Sequence, residues 1–303
     1  MILIGENIHI ISKSVREALE NRDENSVKEL IRVQNNMDYI DLNVGPAKGL
    51  MSGVLPWLAE LAGDKKISFD TTNSDEMRSG LEGYKNNACA FINSTSKDEP
   101  RLEKMTDLAA EFDCNLIALT LSKETGIPKT SDGRLEIAFE IYEKCAEKGI
   151  DNSKIYFDPL ILPVSVEQSQ ALEAINTIKM IKESFDPPVN TIIGLSNISN
   201  GSPKELRPLI NRVFAVLAFG AGLDSAIIDA KDTGLVRILR MLENGNPQNS
   251  TDELYIKLSD MIKDFSDVES ITYDKNDEEQ SVIIKTVNIL TGKKIYSHSF
   301  TQI

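Results

Sequence analysis

The sequence predicts an α/β fold in which eight parallel strands close into a (β/α)8 TIM barrel. Three observations carry that expectation. Eight short apolar, β-branched runs recur along the 303 residues, each of the length of a fully buried strand. Segments with amphipathic helical spacing lie between them, and such alternation implies a parallel sheet with helices outside. Eight units in this length favour closure, and no GxGxxG follows the first run to suggest an open dinucleotide-binding sheet.

In chain order the expected strands are ILIGE (2–6), YIDLN (39–43), KISFD (66–70), CAFIN (89–93), LIALT (116–120), KIYFD (154–158), TIIGLS (191–196) and SAIID (225–229). A helix is expected over 26–37, where Val27, Leu30, Ile31 and Gln34 share a face, and another over 102–112. A third spans 134–149 and ends at Gly149 as a helix C-cap would; a fourth, 167–185, stops before Pro187 and Pro188. The segment 203–222 becomes strongly apolar in its second half, as a helix packed on a sheet does. After Asn244 the character changes. Residues 243–253 are polar and turn-rich, 254–265 have the pattern of an amphipathic helix, and 266–280 are acidic and loosely patterned. The run 281–292 then reads as the last barrel helix. The expected organisation is one domain over 1–303, with a polar insertion at about 244–280 before that helix.

A formal charge of −14 and a pI near 4.7 argue against a nucleic-acid or anionic-membrane binder, which needs a basic face to neutralise phosphates. Cys89, Cys114 and Cys145 share no metal-ligand spacing and read as small apolar residues in a reducing cytoplasm. His9 and His298 are the only histidines, so a multi-histidine metal centre is excluded. The N-terminus lacks the basic and long apolar regions of a secretory signal, and no run is long enough to span a bilayer. A cytoplasmic protein is expected.

In a barrel, side chains at the carboxyl ends of the strands converge on one mouth, where active sites are built. Here those positions hold Glu6 and Asn7, Asp41 and Asn43, Asp70, Asn93, Asp158, Ser196 and Asn197, and Asp229. Each alone has an ordinary reading as a helix cap, and the Ser196–Asn200 stretch as a turn. Asp70 and Asn93 fit capping less well than Asn73 or Ser74, because they precede their helices by several residues. Together they describe a mouth of carboxylates and amides with almost no Lys, Arg or His. That set suits a neutral heterocycle rich in N–H donors, because a carboxylate accepts two parallel N–H bonds while an amide gives and takes. A divalent cation held by Asp41, Asp70 and Asp158 is the rival chemistry; neighbouring amides dilute that charge, and no metal is expected.

At these residues the sequence also resembles a known family. DLNVGP (41–46), SFDTTN (68–73), FINST (91–95), FDPLILP (157–163), GLSNIS (194–199) and RPLINRVF (207–214) resemble the pterin-binding barrels, of dihydropteroate-synthase-like fold. Within them the chain is similar to methyltetrahydrofolate:corrinoid (iron–sulfur) protein methyltransferases over 1–243 and again over 281–300. The resemblance implies transfer of the N5 methyl group of 5-methyltetrahydrofolate to the cobalt of a corrinoid (cobalamin) on a separate protein, or the reverse transfer to tetrahydrofolate. It implies that Asp70, Asn93 and Asp158 hold the pterin and that Asn197 acts at N5. Glu6, Asn7, Asp41, Asn43, Ser196, Asn200 and Arg207 are further candidates for substrate contact. It also implies a homodimer. This chain carries no DxHxxG cobalamin motif, so the corrinoid partner comes from outside. Two alternatives stand beside this reading. Dihydropteroate synthase shares the barrel, but its Arg-Lys pair after strand seven is here Asn197 and Ile198, and DLNVGP carries no Arg. A non-catalytic folate-binding module docking on a corrinoid protein is the other.

Overall fold

The computed structural model describes residues 1–302. Eight strands, β1 (Ile2–His9), β2 (Tyr39–Gly45), β3 (Lys66–Thr71), β4 (Phe91–Thr95), β5 (Asn115–Leu119), β6 (Ile155–Asp158), β7 (Asn190–Gly194) and β8 (Ser225–Ile228), form a closed barrel in sequence order. Every neighbouring pair is parallel, and β8 closes on β1 through Ile2↔Ser225 to Gly5↔Ile228. All eight expected strands are present. Register shifts between Gly5 and Ile8, Asn43 and Gly45, and Asn93 and Thr95 mark the mouth ends of β1, β2 and β4, the kind of bulge that re-aims a side chain.

The barrel interior shows why the runs are so apolar. Alternate residues point inward and make a dry floor from Ile4, Tyr39, Phe91, Ile117, Tyr156 and Ile192. Phe91 sits edge-on between Tyr39 and Tyr156, with ring centroids 5.0 and 4.7 Å away. The other face of each strand packs under the helices, so the strands are buried on both sides and read as continuous hydrophobic stretches.

Eleven helices surround the barrel among the described residues: α1 (Lys13–Glu20), α2 (Glu24–Val33), α3 (Val54–Ala62), α4 (Ser74–Gly83), α5 (Arg101–Phe112), α6 (Ser131–Glu147), α7 (Ser169–Ser184), α8 (Arg207–Gly220), α9 (Thr233–Asn244), α10 (Ser250–Lys263) and α11 (Glu278–Leu290). The helix expected over 26–37 stops at Val33. Gln34 turns inward, where its Nε2 donates to Leu30 O and its Oε1 accepts from Asn7 N. Asn73 caps α4 by accepting from Asp75 N and Glu76 N, which leaves Asp70 free for the interior. No helix is long and apolar enough to cross a membrane among the described residues.

The C-terminal third departs from the expected order. The ring position after β8 is filled directly by α9, capped by Asp232, which packs on α8 and reaches Met1 O and Asp38 through Arg240. The sequence placed the last barrel helix at 281–292; that stretch is α11, which lies with α10 outside α8 and also touches α7. The contact with α10 is close, since a Cβ added at Gly220 on α8 would meet Ser259 O at 2.2 Å. Arg237 on α9 pairs with the wholly buried Asp252 on α10 at 2.8 and 2.9 Å.

Candidate active site

Two residues above the floor the same strands turn polar. On β2, β3 and β4 the register sets Asn43 beside Asp70 and Asp70 beside Asn93, with Asp41 beside Ser68 one step deeper. Asn43 Nδ2 donates to Asp70 Oδ2, while Ser68 Oγ and Asn93 Nδ2 both donate to Asp41 Oδ1, at 2.6 and 3.1 Å. Burial is the largest influence on both carboxyls. It drives Asp41 well above the usual carboxylate range, helped by the charge of Asp70, and pushes Asp70 up to about 6 against the Asn43 hydrogen bond and the nearby Arg101 guanidinium. Arg101, at the start of α5, is fastened by Nε and Nη2 to Ser94 O at 2.9 and 2.6 Å.

Asp158 ends β6 and is 9 % exposed. Leu160 N donates to its Oδ1 at 2.8 Å. Burial pushes this carboxyl up to about 7, opposed by that hydrogen bond and by the charge of Arg134. Glu6 lies on β1, hydrogen-bonded by Ser196 Oγ. It too is pushed up to about 7, chiefly by burial and further by Asp229 and Asp41, which lie on either side of it, just past β8 and on β2.

β7 runs out at Gly194 into a tight turn, Leu195–Ser199. Asn197 is exposed on this turn and leans over Gly194, where an added Cβ would lie 3.1 Å from its Nδ2. Glycine keeps the amide free to turn. Among the described residues its one side-chain hydrogen bond is a long 3.4 Å bond from Asn200 Nδ2 to its Oδ1. Beside it Glu6, Ser196, Asn200, Arg207 and Asp229 line a cleft of about 480 Å³ that also carries Lys204, Arg212 and Lys231.

The structure therefore sets Asp41, Asn43, Asp70 and Asn93 side by side as two hydrogen-bonded pairs, Asn43 with Asp70 and Asn93 with Asp41, and joins Glu6 to Ser196. Asn7 is committed elsewhere: it donates to Asp229 Oδ1 at 2.6 Å and accepts from Ala230 N at 3.0 Å, tying β1 to the turn after β8. Arg207 is half-buried and held by Ser202 O at 2.9 Å. The expectation of a mouth almost without cations needs correction. Arg101 and Arg207 lie beside it, from helix starts rather than strand ends, where strand-based reading does not look. Ser68 was missed too, although its place two residues before Asp70 on an inward face was a usable signal. Asp41, Asp70 and Asp158 form no group poised for a metal ion, and no such group occurs among the described residues.

A closed barrel whose upper interior gathers amides and buried carboxyls at the strand ends presents hydrogen-bond donors and acceptors at one mouth. The chain belongs to the pterin binding enzyme family, whose profile matches residues 44–229. It is 26% identical over 236 residues to the methylcorrinoid:tetrahydrofolate methyltransferase of Eubacterium limosum, covering 76% of this chain and 85% of that one. The methionine synthases of Mycobacterium leprae and Mycobacterium tuberculosis are 29% and 30% identical over 249 and 254 residues, 76% of this chain in each case. This chain spans only 20% of their length. In fold it is similar to the dihydropteroate synthase of Coxiella burnetii solved with pteroic acid, with a TM-score of 0.58 at 15% identity over 81% of this chain and 94% of that one.

Proposed function

We propose that the chain is a methyltransferase that moves the N5 methyl group between 5-methyltetrahydrofolate and the cobalt of a separate corrinoid protein. The observation that carries this is the pairing of an acceptor set, the half-buried Asp70 with the buried Asn93 and Asp158, with a loosely tethered amide, Asn197, at the rim. The relatives named for methylcorrinoid and tetrahydrofolate, or for methionine synthesis, agree with it.

In this reading Asp158, when ionised, accepts the paired N–H donors of the pterin's amino-amidine edge, and Asn93 and Asp70 fix the ring beside it. A tertiary amine is a poor leaving group, so N5 must gain positive character as the methyl departs. The low-valent cobalt supplies the electron pair of the new carbon–cobalt bond, the N5–carbon pair returns to nitrogen, and a proton taken up from solvent ends on N5. The Asn197 amide oxygen, able to turn toward that N–H, stabilises charge where it develops. The floor fixes the ring's depth, so methyl and cobalt meet in line.

The partner enters at the rim, where the loops after β1, β2 and β6 expose Ile11, Leu50 and Val166 at 84, 71 and 79%. We take the whole of 1–303 as one working domain, with 244–280 as decoration that includes α10. A cytoplasmic setting suits the free Cys89, Cys114 and Cys145. The iron–sulfur kind of partner and the homodimer rest on the resemblance alone. The test is to mix the protein with 5-methyltetrahydrofolate and free cob(I)alamin and follow the cobalt absorbance. Conversion to methylcobalamin supports the reading; folate binding with no spectral change leaves only a binding module.

A further inference from the structure

The cleft beside Asn197 reverses the charge balance of the chain. Over the whole sequence 47 acidic residues outnumber 33 basic ones. In this cleft of about 480 Å³ the cations Lys204, Arg207, Arg212 and Lys231 meet only the carboxyls of Glu6, Asp229 and Asp232. Each of those carboxyls is already engaged within the chain. Asp232 holds Arg212 at 2.5 and 3.2 Å and caps α9 by accepting from Leu235 N at 2.9 Å. Asp229 Oδ1 accepts from Asn7 Nδ2 and Lys231 N, at 2.6 and 2.9 Å. Glu6 accepts from Ser196 Oγ. The cations are not matched in return. Among the described residues Lys204, Arg207 and Lys231 make no ion pair, and Arg207 uses only its Nε, on Ser202 O.

Asn211 adds a second signal. It lies one turn along α8 from Arg207 and lines the same cleft. Its Oδ1 is shielded from water yet accepts no hydrogen bond. Shielded acceptors are ordinarily paired, so this one calls for a donor from outside the chain. Cations for carboxylates, with a carbonyl for an N–H, are the complement of a string of amide-linked carboxylates.

The place of the cleft says how such a string would arrive. Ser196 and Asn200, the neighbours of Asn197, line it, and Glu6 joins it to the wall of the mouth. In a folate the carbon that carries the p-aminobenzoyl-glutamate arm is bonded directly to N5. With N5 at Asn197, the arm leaves the barrel at this same rim. We infer that the cleft is a binding site for the γ-linked glutamyl carboxylates of the folate arm, so that the protein favours polyglutamylated folates, an inference that rests on the folate reading of the mouth. The loops after β7 and β8 are also where many barrels hold phosphate, so inorganic diphosphate is the rival anion.

Calorimetry on the whole chain compares 5-methyltetrahydrofolate carrying one glutamate with the same folate carrying four, and with 6-methyltetrahydropterin, which has the ring and no arm. The unaltered protein is set beside the double variant Lys204→Glu, Lys231→Glu. Both lysines are exposed, so the variant should keep its Tm. In the unaltered protein the longer folate binds roughly tenfold tighter at about 50 mM salt, as two or three exposed ion pairs would give, and the margin shrinks severalfold at about 0.5 M. In the double variant the margin is lost at low salt while the armless pterin binds as before. Equal binding of the two folates by the unaltered protein, or a margin that survives the charge reversal, overturns the inference. So does tight binding of inorganic diphosphate with no gain from added glutamates, which would make the cleft a phosphate site. Binding of the armless pterin without a glutamate margin fails the cleft alone; binding of neither folate nor pterin fails the reading of the mouth.

Discussion

Floor and mouth of this barrel are built by the same strands only two residues apart, yet they obey opposite rules. Below, Tyr39, Phe91 and Tyr156 interlock edge-on with Ile4, Ile117 and Ile192, and burial stabilises the fold. Above, Asp41, Asp158 and Glu6 are driven upward in pKa by the same burial, which makes the charged form of each costly in the empty protein. A single alternation of inward positions thus divides the interior into a layer that holds the barrel together and a layer that waits for a ligand.

That division can be broken from below first. Phe91→Ala removes the central ring of the floor and should cost about 3–5 kcal/mol, read as a fall in the denaturation midpoint. From above the sign reverses. The Asp158 carboxyl sits at about 7 in the folded protein against 3.8 in a free chain, so its penalty is absent below about pH 4, grows as pH rises and is complete above 7. Asp158→Asn should therefore stabilise the ligand-free protein at pH 8 by as much as about 4 kcal/mol, give no such gain near pH 4, and abolish tight pterin binding. A Tm that rises equally at both pH values would mean the carboxyl is not strained by burial.

The rim sharpens the contrast. Asn197→Ala should lower methyl transfer roughly a hundredfold while leaving Tm and pterin affinity nearly unchanged, because the amide is exposed and barely tethered. Unchanged turnover removes it from the chemistry. The smallest effect expected is at the outer edge: Ile11→Asp with Val166→Asp should slow transfer with a corrinoid protein severalfold yet spare transfer to free cob(I)alamin. Equal slowing with both acceptors would locate the damage in the barrel instead.

The strands were legible because each is buried on both faces and so appears as an uninterrupted apolar run. Asp70, Asn93 and Asp158 were legible because they break such runs at their ends. The short helices were not. In α4 Gly80 and Gly83 dilute the pattern, and α3 carries Pro56 in its first turn. The regular spacing of α9 went unnoticed beside the turn-rich stretch that follows it. The cation beside Asp70 escaped for a different reason: Arg101 belongs to a helix by sequence, and only the closed barrel brings the start of α5 beside the strand ends.

The proton-retaining carboxyls of the mouth have a last consequence. On the proposed folate reading the pterin's N–H groups displace hydrogen that part of this population carries at neutral pH, so uptake of folate would release acid into the medium. The apparent heat of association should then vary with the ionisation enthalpy of the buffer, strongly near pH 6.5 and scarcely near pH 9, and the slope counts the hydrogens expelled.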